Sequence, residues 1–509
     1  MRLEENNGAN DPEVTKDYSL CANTLDERYV GVSSVLETSN NPILGQVSKL
    51  KVVEIDKGYN AQTKLRIEAQ GYHLYSTCVK YADTAYYICG YMIEVGSTVP
   101  YPFLLKYNTS FTLQYAKKYT WNGIPLDMDF FTIGSDKRVV LVGTETNNVD
   151  WISGSRKSTI RIIYRNTGAN AGYKTLSLSG LNPSASNYVD CINDIVMRDS
   201  AGVIYGYIIA TASDTCTSTK NISRSYVVKL EFTISNVSIA TGFVSWTIPQ
   251  NIGLSENSFT GGAIEICGDN LLAAVNERES GAPVLACLNL YNGTYIYTVR
   301  FESPSPTTTN QGQINTHIPF VQSILRIDST NVLITGKLID VQFNTVPFDT
   351  MFSEMIWSAR VEITATGLVF SNETLYLTEQ SFPGNGPFNY TSYIGCNITT
   401  IYQPIYTAKN TVEDLESESE FVTLTFDANT PFVWPGSTEC HKTWFVTNEN
   451  ASNCMYVDYS DFVLDEIEPP QEVVFPVLNL GSSSGNDIST IVENQFNLTE
   501  LDCDNFPEP

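Results

Sequence analysis

The chain has 509 residues, of which 42% are hydrophobic and only 17% are charged. This apolar fraction supports a sizeable core and excludes a disordered chain. The formal net charge is −26, which disfavours binding to phosphate backbones and to anionic membrane surfaces. We therefore expect no nucleic-acid partner. Because no run of about 18 apolar residues occurs, we also expect no membrane insertion.

Residues 1–24 form a polar N-terminal segment ahead of the first strand pattern. It lacks the apolar region of a signal peptide, so a secreted protein would contain this chain in a processed form.

A repeated pattern organises residues 25–435, where apolar residues alternate with polar ones and helical periodicity is nearly absent. A short apolar run ends in a small residue, and a loop, a second run, a polar turn and a third run follow. The runs that end in the small residue are Tyr29–Gly31, Ile88–Gly90, Leu141–Gly143, Ile208–Ala210, Leu272–Ala274, Ile334–Gly336 and Tyr406–Ala408. Successive small residues are 59, 53, 67, 64, 62 and 72 positions apart, which is typical of four-stranded blades with variable loops.

The sequence therefore predicts an all-β fold, a β-propeller of about seven four-stranded blades with a C-terminal β/coil extension; tandem β-sandwiches are the alternative. The run before each small-residue run supplies the fourth strand, as His73–Lys80 and Ala263–Cys267 illustrate. In the seventh unit the next strand is Phe421–Phe426. We interpret the small residue as space for close backbone approach where blades pack near the axis.

A strand of the form apolar-apolar-Lys-apolar recurs after the loop, as in Phe103–Asn108 and Val227–Leu230. With the turn and aromatic strand that follow, it resembles the propeller repeats of large secreted bacterial and protist proteins. The resemblance covers about residues 25–435 and implies a fold class rather than an activity.

Residues 436–509 form a C-terminal extension with an acidic stretch around Pro469 and an apolar run, Val473–Leu480. The acidic residues of the stretch are Asp458, Asp461, Asp465, Glu466, Glu468 and Glu472. Pro476 within the run favours an edge strand. The run either closes the propeller ring as its last strand or adds to the sheet edge of a neighbouring subunit.

Eight of the eleven cysteines form locally spaced pairs, which favours disulfides in an oxidising compartment over buried thiols. The candidate pairs are Cys78 with Cys89, Cys191 with Cys216, Cys267 with Cys287, Cys440 with Cys454, and Cys21 with Cys503, and Cys396 is left over. Nine N-x-[ST] sequons are candidate glycosylation sites, at Asn108, Asn221, Asn236, Asn292, Asn372, Asn389, Asn397, Asn450 and Asn497. Asn108, Asn236 and Asn292 follow apolar strands directly, where a turn exposes them.

Catalytic signatures are sparse. His73, His317 and His441 lie far apart and lack zinc or triad spacing. Ser483 matches G-x-S-x-G only within the linker Gly481–Gly485.

Paired carboxylates are the remaining catalytic candidates. Asp127 and Asp129 would share one strand face, and Asp340 and Asp349 flank a loop, but a structural role is favoured for each. No cofactor is expected, although the oxygen-rich segment Asp458–Asp465 is a place where calcium would bind.

These features predict a non-enzymatic structural glycoprotein, extracellular or at the cell surface, whose rigid propeller self-assembles through its termini or joins other surface proteins. The alternative is a carbohydrate-binding or carbohydrate-active propeller, a lectin or glycosidase, with its site at the mouth of the ring.

Overall fold

The structure is a computed structural model in which every regular element that it describes is a β-strand. It describes residues 2–3, 14–38, 46–57, 61–149, 156–176, 188–214, 223–242, 246–248, 259–277, 283–302, 307–308, 314–345, 348–365, 367–377, 382–384, 411–413, 421–427, 442–447, 456–457, 463–466, 471–472, 480–481 and 498–501. None of the elements within these ranges is a helix long and apolar enough to span a bilayer.

The strands form seven antiparallel sheets, which we number as blades 1 to 7, with strands A to D in sheet order. Blade 1 consists of Val14–Asn23, Arg28–Thr38, Gln46–Ile55 and Ala61–Ala69. Blade 2 consists of Tyr72–Ala82, Ala85–Glu94, Pro100–Asn108 and Leu113–Lys118. Blade 3 consists of Gly123–Ile133, Asp136–Glu145, Lys157–Tyr164 and Asn170–Leu176.

Blades 4 to 6 repeat this arrangement with small additions. Blade 4 consists of Tyr188–Ser200, Val203–Asp214 and Ser223–Phe232, with Val237–Ile239 and Trp246–Ile248 sharing the D position. Blade 5 consists of Phe259–Cys267, Asn270–Glu277, Pro283–Asn289 and Tyr295–Glu302. Blade 6 consists of Ile314–Arg326, Asn331–Thr345, Phe348–Thr364 and Gly367–Leu377, with Thr307–Thr308 beside strand A and Phe382–Gly384 beside strand C.

Blade 7 closes the ring, and it combines both ends of the chain. Its strands are Thr411–Glu413, Phe421–Asp427, Lys442–Thr447 and the N-terminal Arg2–Leu3. The A strand of each blade contacts the A strand of the next, and Thr411–Glu413 contacts those of blades 6 and 1. The fold is therefore a propeller, as the sequence predicts.

The seventh unit corrects one assignment from the sequence. Phe421–Asp427 is the second strand of blade 7, not the third, because the N-terminal Arg2–Leu3 supplies the outermost strand and shifts the order by one. Lys442–Thr447 belongs to this blade although it lies beyond residue 435.

The C-terminal tail adds one short strand to the outer edge of blade after blade, in the reverse of chain order. These strands are Tyr456–Val457 on blade 6, Val463–Glu466 on blade 5, Gln471–Glu472 on blade 4, Leu480–Gly481 on blade 3 and Leu498–Leu501 on blade 1. Of the run Val473–Leu480 only Leu480 is described, and it lies on blade 3 rather than on blade 7. We call these five strands the belt.

The hydrophobic core is divided into layers between neighbouring blades, because the blades present apolar residues on both faces. Val30 and Leu50 of blade 1 pack with Ile88 and Phe103 of blade 2 in one such layer. Further layers lie between blades 2 and 3, 3 and 4, 4 and 5, and 5 and 6. Full burial of one such side chain stabilises the fold by about 1.5 to 3 kcal/mol.

A β-bulge interrupts the pairing of strands A and B in each of blades 1 to 6. Gly90, Gly143, Ala210 and Gly336 lie opposite the last paired residue before the bulge. Gly31 and Ala274 pair beyond the bulge instead, and Ala408 lies outside the described residues.

The bulge gives a different reason for the small residue from the one inferred from sequence. A Cβ atom on Gly90 would lie 2.0 Å from the carbonyl oxygen of Tyr75, and one on Gly143 would lie 2.1 Å from that of Ile124. Both carbonyls belong to strand A of the same blade. The close approach is therefore made within a blade, where the bulge pushes strand A towards strand B.

Candidate functional site

The residue that follows each bulge is placed to link one blade to the next. In blades 1 to 6 this position holds Ser19, Cys78, Asp127, Asp194, Ala263 and Ser323. Three of these side chains accept a hydrogen bond from a backbone N–H on strand A of the following blade. The bonds are Val79 N to Ser19 Oγ at 2.8 Å, Ile195 N to Asp127 Oδ2 at 3.3 Å, and Ile264 N to Asp194 Oδ2 at 2.9 Å.

A buried ionic cluster forms where three of these A strands meet, in blades 2 to 4. The Nζ atom of Lys80 lies 3.3 Å from a carboxylate oxygen of Asp127, and the Cys78 thiol donates to that carboxylate at 3.2 Å. Asp129, two residues further along the strand, accepts a hydrogen bond from the backbone N–H of Met197 at 2.8 Å. Asp127 and Asp129 therefore share one strand face, as the sequence predicts.

Burial and neighbouring charges shift the pKa values of Lys80 and Asp129 in this cluster. Burial opposes the charge on Lys80, but the carboxylates of Asp127 and Asp129 outweigh it and hold the pKa of Lys80 well above its ordinary value. Burial raises the pKa of Asp129; Lys80 opposes this rise and Asp127 adds to it. The result is a cation that is paired with Asp127 and is also stabilised by the charge of Asp129.

The second predicted carboxylate pair is arranged differently. Asp340 and Asp349 lie on strands B and C of blade 6, which form one long hairpin, and their backbones face Ser353 and Asn344 respectively. They are therefore not register partners. Among the described residues, no group of three or more His, Cys, Asp or Glu side chains is arranged to hold a metal ion. The calcium candidate cannot be placed as a loop, since residues 458–462 lie outside the described part.

All six described cysteines are buried and occur as separate thiols: Cys21, Cys78, Cys89, Cys191, Cys267 and Cys287. Cys78 and Cys89 are register partners on neighbouring strands, but the Cys78 thiol donates a hydrogen bond to Asp127. Burial raises the pKa of Cys267 to about 11 and of Cys287 to about 12, so their thiolates are disfavoured. The five pairings stay predictions, and Cys216, Cys396, Cys440, Cys454 and Cys503 lie outside the described residues.

The lysine of the apolar-apolar-Lys-apolar strand has a contact that the sequence did not indicate. The Nζ atom of Lys229 lies 4.1 Å from the ring centre of Tyr205, and that of Lys106 lies 5.3 Å from the ring centre of Tyr87. Lys106 and Lys229 occupy the same position in strand C of blades 2 and 4. Each ammonium is therefore held over aromatic faces, which attract a cation.

The sequons that the structure describes lie in part where the sequence places them. Asn236 and Asn292 are exposed in the turns that follow strand C of blades 4 and 5, and Asn108 ends strand C of blade 2. Asn372 lies within strand D of blade 6. The remaining five lie outside the described residues, and glycosylation itself stays a prediction.

Of the other catalytic candidates, only His73 has a described environment. Its Nδ1 accepts a hydrogen bond from the backbone N–H of Ser48 at 3.1 Å, across the boundary between blades 1 and 2. His317 lies on strand A of blade 6, and His441 and Ser483 lie outside the described residues.

Comparison with known proteins assigns no family to this chain. No protein-family model matches the chain. No curated protein matches it. The chain is similar in structure to a thermostable family-43 glycoside hydrolase at 11% identity and a TM-score of 0.29, over 74% of this chain and 97% of that one. It is similar to the xylan β-1,4-xylosidase from Bacillus halodurans C-125 at 8% identity and a TM-score of 0.28, over 73% and 90% of the two chains. The propeller assignment rests on the strand pairing described above.

Proposed function

We propose that this chain is a rigid, non-enzymatic propeller scaffold of the cell surface or the extracellular space. One observation carries the proposal: the carboxylates on the inner strands are used to tie blades together. Asp127 and Asp194 each bind a backbone N–H of the following blade, and Asp127 also pairs with Lys80. Oxygens that hold the ring together are poorly suited to exchange protons with a substrate.

The location outside the cell is part of the same proposal. It is supported by the exposed sequons Asn236 and Asn292, whose turns would accept a glycan without disturbing a strand. Self-assembly through the termini stays a prediction, and here the described terminal strands pair within the chain.

Intact mass of the protein purified from its natural source tests this proposal. We expect excess mass that a glycosidase removes, together with no release of product from a panel of aryl glycosides. A bare polypeptide mass would contradict the extracellular location. Turnover of any glycoside, lost in Asp127→Asn or Asp129→Asn, would contradict the non-enzymatic assignment.

A carbohydrate-active propeller is the second candidate, and the ionic cluster is the observation that favours it. Acid–base pairs in glycosidases consist of two carboxyl groups whose surroundings push their pKa values apart. Asp129, with its raised pKa, lies two residues from the ion-paired Asp127. The two compared structures are glycoside enzymes, but their TM-scores of 0.29 and 0.28 leave the decision to these residues.

Aryl-glycoside release is again the discriminating measurement for this candidate. The wild-type chain should release product with an acid limb that Asp129→Asn removes, while the variant keeps its fold. No release by the wild-type chain across the panel would eliminate it.

A further inference from the structure

A second charged cluster lies among the turns that join strand A to strand B and strand C to strand D in blades 2 and 3. Asp83 lies in the A–B turn of blade 2, and Lys106 lies near the end of its strand C. Lys137 is the second residue of strand B of blade 3, and Arg165 directly follows its strand C. Hairpin turns of both kinds meet at one rim of the ring, so these residues come together.

Two of the three cations in this cluster, Lys137 and Arg165, share the carboxylate of Asp83. The Nζ atom of Lys137 lies 2.9 Å from Asp83 Oδ1, and a guanidinium nitrogen of Arg165 lies 2.6 Å from Asp83 Oδ2. The Nζ atom of Lys106 lies over the rings of Tyr87 and Tyr115, 5.3 and 5.9 Å from their centres. No described carboxylate oxygen lies within 4.0 Å of it.

Lys106 and Arg165 both lie against Tyr115, whose ring faces the Lys106 ammonium and whose hydroxyl donates to the Arg165 carbonyl oxygen at 3.3 Å. Burial lowers the pKa of Lys106; Asp83 opposes this, and Arg165 and Lys137 lower the pKa further. An excess of positive charge is thus concentrated here, although the chain as a whole has a net charge of −26. Such an excess attracts anions locally whatever the sign of the total charge.

An unpartnered donor is a second, independent observation. The side chain of Tyr87 is fully buried, at 0% exposure, and its hydroxyl has no hydrogen-bond partner among the described residues. Arg165 and Asp83 both influence the pKa of this hydroxyl, so it lies beside the same charges. A buried hydroxyl without a partner is unfavourable, and an incoming oxygen acceptor would relieve this.

We propose that Tyr87, Lys106 and Lys137 bind an oxyanion, the carboxylate or sulfate group of a small ligand, at the rim between blades 2 and 3. The Tyr87 hydroxyl and the two ammonium groups donate to its oxygens, and Arg165 adds charge while its own donors hold Asp83 and backbone carbonyls. The site goes beyond the scaffold function and does not depend on it.

Calorimetric titration of the full chain tests the site, with glucuronate and inorganic sulfate as probes and glucose as the neutral control. We expect both anions to bind to the wild-type chain and glucose not to bind. Lys106→Met and Tyr87→Phe should each weaken binding, the lysine variant by about tenfold or more, because a charged hydrogen bond is lost. Lys229→Met is the matched control, since Lys229 occupies the same position in blade 4 over Tyr205 and should leave binding unchanged.

The Tyr87→Phe variant can also be tested without ligand, by its free energy of unfolding. Removal of the unpartnered hydroxyl should leave the free energy of unfolding equal to or higher than that of the wild-type chain. The proposal is overturned if neither anion binds, if Lys106→Met and Lys229→Met weaken binding equally, or if glucose binds as well as glucuronate. Should Lys106→Met fail to fold, Lys137→Met replaces it, because that side chain is 41% exposed and its loss leaves the core intact.

Discussion

Single residues hold this propeller together at the places where backbone N–H groups of one blade meet the next. Asp127 and Asp194 occupy the same post-bulge position in neighbouring blades and make the same kind of bond. This repetition shows that the bulge has a structural role, because it turns the side chain of the post-bulge residue towards strand A of the following blade. Lys80 then balances the negative charge that these acids bring into the interior.

Asp127 and Asp129 should respond differently to the same substitution. Asp127→Asn removes the partner of Lys80, a carboxylate that is only 5% exposed, and should lower the free energy of unfolding by about 1 to 3 kcal/mol. Asp129→Asn removes a carboxyl group whose pKa the fold raises, so stability at pH 7 should be unchanged or higher. Urea unfolding of both variants at pH 7 measures the difference.

The effect of Asp129 on stability should depend on pH. A raised folded-state pKa means that ionisation weakens the folded state as pH rises above the unfolded pKa of about 3.9. The advantage of Asp129→Asn should therefore be larger at pH 7 than at pH 4. Equal losses of stability in the two aspartate variants would contradict this description of the cluster.

His73 should make the boundary between blades 1 and 2 sensitive to acid. Burial lowers its pKa, and its Nδ1 must be unprotonated to accept from Ser48. A depressed folded-state pKa adds stability above the unfolded value of about 6.5, and that stability is lost as pH falls through the folded pKa. His73→Asn, which keeps an acceptor but cannot titrate, should show a smaller loss of unfolding free energy between pH 7 and pH 5. An unchanged slope would argue against this role.

At the scale of the element, the repeating unit is a four-stranded sheet whose first two strands are joined by a bulged ladder. The bulge makes the residue opposite it sensitive to size. Blade 4 has Ala210 at this position, whereas blades 2, 3 and 6 have glycine. In these four blades the residue is no larger than alanine, and in blades 2 and 3 even one methyl group would require a shift. Blades 1 and 5, whose bulges skip two residues, have Ser34 and Asn276 at the corresponding position.

Gly143→Ala should lower the free energy of unfolding by about 1 to 3 kcal/mol, because the added Cβ would overlap the carbonyl of Ile124. Ala210→Gly is the matched control at the equivalent position and should lower it by no more than about 1 kcal/mol, the usual effect of glycine in a strand or helix. Chemical denaturation of the two variants compares them directly. Similar losses would show that the bulge does not limit the size of this residue.

At the scale of the whole molecule, both ends of the chain act on the ring from outside. The N-terminal Arg2–Leu3 completes blade 7, and the belt covers the outer edges of five blades. Uncovered edge strands pair readily with other chains, so an edge covered by the same chain protects against aggregation. The belt crosses from blade to blade, so it also ties distant parts of the ring to one another.

Deletion of residues 448–509 should leave a folded but less stable ring that associates through its exposed edges. Circular dichroism should still report β-structure, while light scattering on a sizing column should show a larger particle than the full chain gives. Deletion of 504–509, which keeps the last described strand and Cys503, is the control and should change neither. A truncated ring that stays as monodisperse as the full chain would contradict the protective role of the belt.

The amino-acid sequence by itself determined the all-β class and the number of repeats, because strand alternation and the spacing of small residues are local properties of the chain. It also placed Asp127 and Asp129 on one face, since a strand has a period of two. Only the tertiary structure decided what those residues touch. The partners Lys80, Ile195 and Met197 lie on other blades, at sequence separations that no local pattern specifies.

The belt and the shifted strand order of blade 7 were likewise decided by long-range pairing. Two-residue strands such as Arg2–Leu3 and Gln471–Glu472 are too short to leave a periodic signal, and they exist because a sheet edge offers them partners. The rim cluster around Lys106 has the same origin. Its four charged residues are scattered from position 83 to position 165, and only the stacking of blades 2 and 3 brings them together.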